Sequence, residues 1–495
     1  MTIVELMPFS VLVPLIASVV CALLPGRFLP WALTLVAALA SAIIAALTLP
    51  AAMDGTLSYA FGNWEPPIGI EYRVDAANAF VALLVSGMAA LTLPWAKKSV
   101  DREIPERQGT FYALFLLALA GLMGITMTGD AFNVFVFLEI SSLATYALIA
   151  HGRDRRALLA SFRYLIMGTV GATFLLIGIG LLYIMTGTLN MADLAERLPA
   201  VQDSNAVRAA LAFIVVGMGL KLALLPLHLW LPDAYTYAPN FVTIFLAGTA
   251  TKVALYVMLR FVFTVFTPEY SFVALPLAAV LTGLGIAGML VGSWVAMFEP
   301  NLKRMLAYSS VAQVGYMVLG ASLVSLGGLT ASFLHLFNHA LIKGALFMAL
   351  GTVIYRIGSA QIADLRGIGR SMPWTLTAFA LAGLSLIGVP TTAGFVSKWH
   401  LMLAAMDAGH WWLVLLIVVT SMMAIYYIWR VIEAAWFQQR PAEAAPVREA
   451  PLALLVPTWI LVGLNFYFGI DTRLTVSAAT GAAEALLGSG TGVAP

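Results

Sequence analysis

Apolar runs long enough to cross a bilayer recur along this chain from its first residues to about position 470. A helix needs ~20 predominantly apolar residues to span ~30 Å of hydrocarbon, and within lipid it satisfies its own backbone N–H and C=O groups. Of the 495 residues, 61% are hydrophobic and 10% charged, too little polar surface to cover a water-soluble core. The expected fold is therefore all-α and polytopic, with about fourteen membrane helices. They are placed at 3–24, 29–50, 75–96, 110–128, 131–150, 160–186, 207–230, 242–265, 272–298, 303–324, 329–355, 374–400, 410–435 and 452–470. The first of these lacks a basic n-region and reads as a span, not a cleaved leader.

The same composition excludes several chemistries. Cys21 is the single cysteine, which rules out an intrachain disulfide and offers no cluster for iron–sulfur or zinc. No glycine-rich loop ends in Lys-Ser/Thr, so ATP does not drive this chain directly. The expectation is no cofactor, no metal, no nucleic acid and no covalent chemistry.

Basic residues set the expected orientation. Seventeen of the 26 lysines and arginines lie in or beside the connections that follow odd-numbered spans, among them Lys97, Lys98, Arg153, Arg155, Lys303 and Arg304. The positive-inside rule makes those connections cytoplasmic and both termini external, in a cell inner membrane.

Two spans carry helix breakers. Lys221 is followed by Pro226 and Pro232 in the seventh, and Lys398 is preceded by Gly388, Pro390 and Gly394 in the twelfth. Proline removes a backbone hydrogen bond, a loss tolerated at membrane depth only where protein or water re-satisfies the carbonyl. The interrupted spans are five apart, and five is odd, so repeats of five helices would have opposite topology. Paired broken helices are a pointer to a transport site. The expected division is 1–109 (three N-terminal helices), 110–265 and 272–435 (two inverted five-helix repeats), and 436–495 (a C-terminal helix and tail).

Charges inside apolar spans are costly and mark ion or proton paths. Glu139 lies nine residues after Asp130, ~13.5 Å into its helix. Lys221 lies twelve residues before Asp233, ~18 Å along a straight helix. At similar depths the two can neutralise one another, or form only a static pair that orders two helices. Lys252 stands mid-span behind Gly248, Thr249 and Thr251, too deep for easy snorkelling. His335, His339 and Lys343 are spaced i, i+4, i+8 on one helix face, where imidazoles can accept and donate protons near neutral pH. Lys398 follows the Pro390 break, toward the outer side. The relay candidates are thus Glu139, Lys221, Lys252, His335, His339, Lys343 and Lys398. Asp130 is expected to cap its helix, and the methionines and glycines to serve packing.

Four segments carry a resemblance: Gly129 to Glu139, Lys221 to Ala234, Asn301 to Gly315, and Gly388 to Trp399. They resemble the proton-translocating antiporter-like family of respiratory complex I, membrane-bound hydrogenases and multisubunit Mrp sodium/proton antiporters. Thr186-Gly-Thr-Leu-Asn-Met-Ala-Asp-Leu and Leu334-His-Leu-Phe-Asn-His-Ala-Leu-Ile-Lys343 look most like the D-type component of Mrp antiporters. The resemblance implies that the family's buried glutamate falls on Glu139 and its lysines on Lys221, Lys252 and Lys398. A lysine at 398 departs from the glutamate of one complex I paralogue. The implied function is proton translocation within a hetero-oligomeric Na+/proton antiporter with other integral membrane subunits. The alternative is a proton-pumping subunit of a redox-driven complex. Tyr235-Thr-Tyr-Ala-Pro-Asn is bulkier than the small, proline-rich stretch usual there, which bears on where protons enter.

Overall fold

The computed structural model describes residues 2–442 and 445–488, so the end of the expected 436–495 segment, beyond Gly488, lies outside the described residues. The chain opens with α1 (Ile3–Leu6), α2 (Phe9–Leu23), α3 (Phe28–Asp54), α4 (Ala76–Glu103) and α5 (Gln108–Met127). Then come α6 (Ala131–Ala150), α7 (Arg156–Thr186), the short α8 (Met191–Arg197), α9 (Asn205–Leu222) and α10 (Trp230–Tyr237). The middle holds α11 (Asn240–Gly248), α12 (Ala250–Leu259), α13 (Leu277–Phe298), α14 (Leu302–Ser322) and α15 (Leu326–Ile357). Last are α16 (Pro373–Ile387), α17 (Ala393–Asp407), α18 (Trp411–Ile432), α19 (Leu452–Ile470) and α20 (Arg473–Leu487).

Among the described residues, twelve helices are long and apolar enough to cross a membrane, and Pro373–Ile387 is a shorter apolar one. The segment expected as the tenth span, α14, is 21 residues long but carries Lys303, Arg304 and Gln313 and is not among the twelve. Two features depart from the sequence expectation. The polar 51–74 connection folds back as a hairpin of β1 (Leu57–Ala60) and β2 (Glu71–Val74), with Leu57 opposite Val74 and Ala60 opposite Glu71. A further helix, α20, follows the expected last span and packs on α4 and α15.

Several helix starts are capped by side chains. Asp75 accepts from the N–H groups of Ala77 and Asn78, and Asp130 from Asn133. Ser204, Asn301 and Ser325 cap α9, α14 and α15. Each supplies an acceptor to N–H groups that a helix start leaves unpaired. Glycines let backbones touch: a Cβ on Gly217 would fall 2.6 Å from Gly171 O between α9 and α7, and one on Gly315 2.5 Å from Gly285 O between α14 and α13. Lipid gives helices little hydrophobic reason to associate, so close packing of this kind holds them.

The most enclosed element is α15, buried almost throughout from Gly328 to Val353. It is flanked by α4, α11, α14, α16, α17, α19 and α20. Its polar face is therefore turned to protein and not to lipid.

Candidate functional site

Both expected interruptions occur. In the seventh span the helix stops at Leu222, one residue after Lys221, because Ala223 turns left-handed (φ 59°). The chain then runs irregularly to α10, held by Trp230 Nε1 donating to Leu220 O at 2.8 Å. In the twelfth, Gly388 (φ 93°) ends α16 and Thr391 (φ 75°) leads into α17. A third break was not legible. Thr249 separates α11 from α12, and its hydroxyl donates to Phe245 O at 2.7 Å, the back-bonding that bends helices.

Glu139 and Lys221 meet as expected. Lys221 Nζ lies 4.0 Å from Glu139 Oε1, donates to Ser142 Oγ at 2.8 Å and reaches Tyr146 OH at 3.4 Å. At 4.0 Å the pair attracts without a hydrogen bond, and Glu139 Oε1 is buried with no donor. The lysine side chain is 5% exposed and the glutamate 25%, so the pair sits at the bundle's edge with its carboxylate outermost. A cavity of about 30 Å³ adjoins Lys221, Ser142 and Thr145, large enough for a water molecule.

That cavity does not reach Lys252. Its α12 wall is Ala250, Val253, Ala254 and Val257; at ~100° per residue Lys252 falls on the helix's other side. The Lys252 amine turns back to Ala247 O, beside the Thr249 break, and lies 3.4 Å from Thr251 Oγ1. Ala247 belongs to α11, which packs on α15. The structure thus groups Lys252 with the α15 face and separates it from Lys221 by the thickness of a helix.

On α15 the rings of His335 and His339 lie parallel, 6.1 Å apart. His335 is held at both nitrogens, 2.9 Å from Ser397 Oγ and 2.8 Å from Gln313 Oε1. Neither nitrogen of His339 has a partner. Lys343 donates to Leu306 O at 2.7 Å and to Ser309 Oγ. One residue beyond Ser397, Lys398 donates to Leu386 O (3.0 Å), Ile387 O (2.9 Å) and Ser421 Oγ (3.0 Å). The two carbonyls are among those left open where α16 ends. Lys398 also lies 4.9 Å from the centre of the Tyr316 ring.

Sequence reasoning missed the neutral half of this arrangement. Ser309, Gln313 and Tyr316 of α14 are spaced i, i+4, i+7 and face Lys343, His335 and Lys398 in turn. That spacing was available in Asn301–Gly315 and the residue after it, a stretch that served only as a resemblance. Ser142, Tyr146, Ser397 and Ser421 gave no comparable signal. Among the described residues no three His, Cys, Asp or Glu side chains converge as metal ligands would. The arrangement can pass protons between amines, imidazoles and hydroxyls.

The family described as NADH:quinone oxidoreductase/Mrp antiporter, TM matches residues 128–424, a stretch holding all seven relay candidates. NADH-quinone oxidoreductase subunit N of Desulforudis audaxviator is 44% identical over 91% of this chain and 93% of that protein. The D-type component of the Na(+)/H(+) antiporter of Bacillus subtilis is 30% identical over 88% of this chain and 87% of its own length. Among solved structures, a chain of the Mrp complex from a Dietzia species superposes with a TM-score of 0.89 at 27% identity, over 98% of both chains. A chain of the membrane-bound sulfane sulfur reductase, an archaeal respiratory membrane complex, gives 0.89 at 31% identity over 97% of both. The family match, the relatives aligned over most of their length and the twelve helices long and apolar enough to span among the described residues agree that this is a multi-pass membrane protein, and the chain belongs to the NADH:quinone oxidoreductase/Mrp antiporter transmembrane family.

Proposed function

We propose that this chain is a proton-translocating subunit of a multisubunit membrane complex, with other integral membrane subunits as its partners. The observation that carries the reading is the series of titratable groups held inside the bundle: the Glu139–Lys221 pair, Lys252, the α15 face of Lys343, His339 and His335, and Lys398 beside that face, with Lys221, Lys252 and Lys398 each at a helix break. Burying ions is expensive, and a purely structural bundle needs none of them. Protons would enter from the basic-rich face, which we take as cytoplasmic, and leave near Lys398 on the side of the termini. The 110–265 and 272–435 segments would each form one half of the path.

Within this reading the chain serves a monovalent cation (Na+)/proton antiporter, supported by the antiporter relatives and by the likeness to the Mrp complex. A second reading, a proton-pumping subunit of a redox-driven complex, is favoured by the 44% identity to NADH-quinone oxidoreductase subunit N. Purifying the native complex separates them: small multi-span partners mark the antiporter, iron–sulfur or flavin subunits the redox pump.

Proton transfer itself is tested with Lys398→Arg and Lys252→Arg in vesicles holding the assembled complex. Guanidinium keeps the charge but does not release its proton at accessible pH. Both variants should lose proton flux while assembling normally. Near-normal flux in both would leave the buried lysines as scaffold only.

A further inference from the structure

At the basic-rich end of the bundle, the connections that follow five different spans converge around a cavity of about 360 Å³. It has room for many waters, whereas the space beside Lys221 is about 30 Å³. Its rim carries Arg102, Arg153, Arg156 and Asp154. These are largely committed to one another and to backbone. Arg156 pairs with Asp154 at 2.6 Å, and Arg153 donates to the carbonyls of Arg102 and Glu103.

The floor is different. Lys303, 6% exposed, lines the cavity from the first turn of α14. Its amine donates to Ala238 O at 2.7 Å, in the bulky stretch that follows the broken seventh span. Glu103 lines the same cavity, yet the two form no ion pair. The Glu103 carboxylate is instead taken by Asn240, from its backbone N at 2.9 Å and its side-chain amide at 3.0 Å. Three residues beyond Lys303 along α14, ~4.5 Å deeper at ~1.5 Å per residue, is Leu306. Its carbonyl accepts from Lys343 at 2.7 Å. Lys303 is thus rooted on α14 one helical turn before the carbonyl that holds the Lys343 amine of α15, and the outer of the two lysines lines the cavity.

We propose that this cavity is a proton mouth on the basic-rich face, with Lys303 as its first titrating group and Lys343 as the next. Protons entering here reach the α15 histidines without passing Lys221, which lies across α12 from them. The inference rests on the proton-translocating reading above and names an inlet for it. The Tyr235–Asn240 stretch is then the inlet's wall and not an obstruction, since Thr236 through Asn240 line the cavity.

The test uses the whole complex in oriented vesicles, with proton flux followed by an internal pH dye. Lys303→Met and Lys303→Arg should both lose flux severalfold, the arginine because it holds the charge and the Ala238 contact but not a transferable proton. Since Lys303→Met could impair assembly, a second measurement works after assembly. Ser359, on the cavity wall, is changed to cysteine and treated with a membrane-impermeant anionic thiosulfonate from the basic-rich side. Cys21, the chain's one native cysteine, is fully buried, and the unchanged chain serves as control. Ser359→Cys should transport until modified and then lose flux severalfold. Full flux in Lys303→Met and in modified Ser359→Cys, alongside an inactive Lys398→Arg, would overturn the inlet and leave the proposed function standing. Normal flux in Lys398→Arg would instead overturn the function on which the inlet rests.

Discussion

Of the buried lysines in the proposed relay, only Lys221 has a carboxylate within reach. Lys252, Lys343 and Lys398 are held by carbonyl and hydroxyl oxygens, which accept from an ammonium and from a neutral amine alike. Lys252 and Lys343 can give up a proton and keep their bonds, and Lys398 can do so if the Ser421 hydroxyl turns to donate to the neutral amine; Lys221 cannot do so without changing its relation to Glu139. Glu139→Ala is therefore expected to abolish most flux at normal assembly, and Glu139→Asp to be milder, as vesicle transport would read. The cradle around Lys221 depends on Gly168, where a Cβ would collide with Tyr146 OH and fall 3.4 Å from Lys221 Nζ. Gly168→Ala should displace Tyr146, cost about 1–3 kcal/mol of stability and reduce flux although no titratable group is touched. Wild-type flux and melting in that variant would show that Tyr146 is not needed there. The seven titratable residues were legible because a charge in an apolar span has no ordinary reason to exist. The hydroxyls were not, because most serines and threonines in these helices merely bond their own backbone, as Ser86 does to Ala82 O and Thr92 to Met88 O. Nothing in the sequence distinguishes Ser142 or Ser421 from those.

Among the elements, prolines and glycines announced two of the three broken helices but misplaced one break. α9 ends four residues before Pro226, at the left-handed Ala223. A residue with a Cβ is strained there by about 1–2 kcal/mol, so Ala223→Gly should raise the melting temperature of the purified complex and keep the break. Gly388 is the converse. It is already left-handed, and a Cβ there would meet Lys398 Cδ at 3.0 Å. Gly388→Ala should lower both stability and flux, and unchanged values would mean the α16–α17 joint tolerates a shift of Lys398. The Thr249 break and the β1–β2 hairpin left no comparable mark. One arises from a threonine bonding backward, and the other from pairing between residues in a connection that reads simply as polar. An ion pair was missed as well. Arg260 joins Asp75 through two bonds, at 2.7 and 2.8 Å, tying α12 to the start of α4. Removing one partner of a buried pair costs about 3–5 kcal/mol, and Arg260→Met should show the lower part of that range in thermal unfolding, because Asp75 retains some exposure.

For the molecule as a whole, hydropathy marked the twelve helices that are long and apolar enough to span among the described residues, and the ordered motifs identified the family, yet neither revealed that α12 stands between Lys221 and Lys252. That separation depends on which side of a helix each residue faces across a kink that the sequence does not mark. The depth of the groups has a further consequence. Glu139 is the ninth of twenty residues in α6, His339 the fourteenth of 32 in α15, and Lys398 lies just beyond the α16–α17 joint. On the proposed path, with each group near the middle of its span, the steps between them would run sideways at similar depth. A charge moving between them crosses little of the transmembrane voltage, which is worth ~2.3 kcal/mol per elementary charge per 100 mV only along the membrane normal. The electrical work therefore concentrates in the short vertical legs at either end. Slowing a lateral step with His339→Gln should leave a residual flux nearly independent of imposed potential. Narrowing the mouth at Lys303 should leave one that rises steeply with it. Recording flux against a potassium-diffusion potential would read the difference, and equal voltage dependence in the two variants would mean that the lateral stretch, too, climbs through the field.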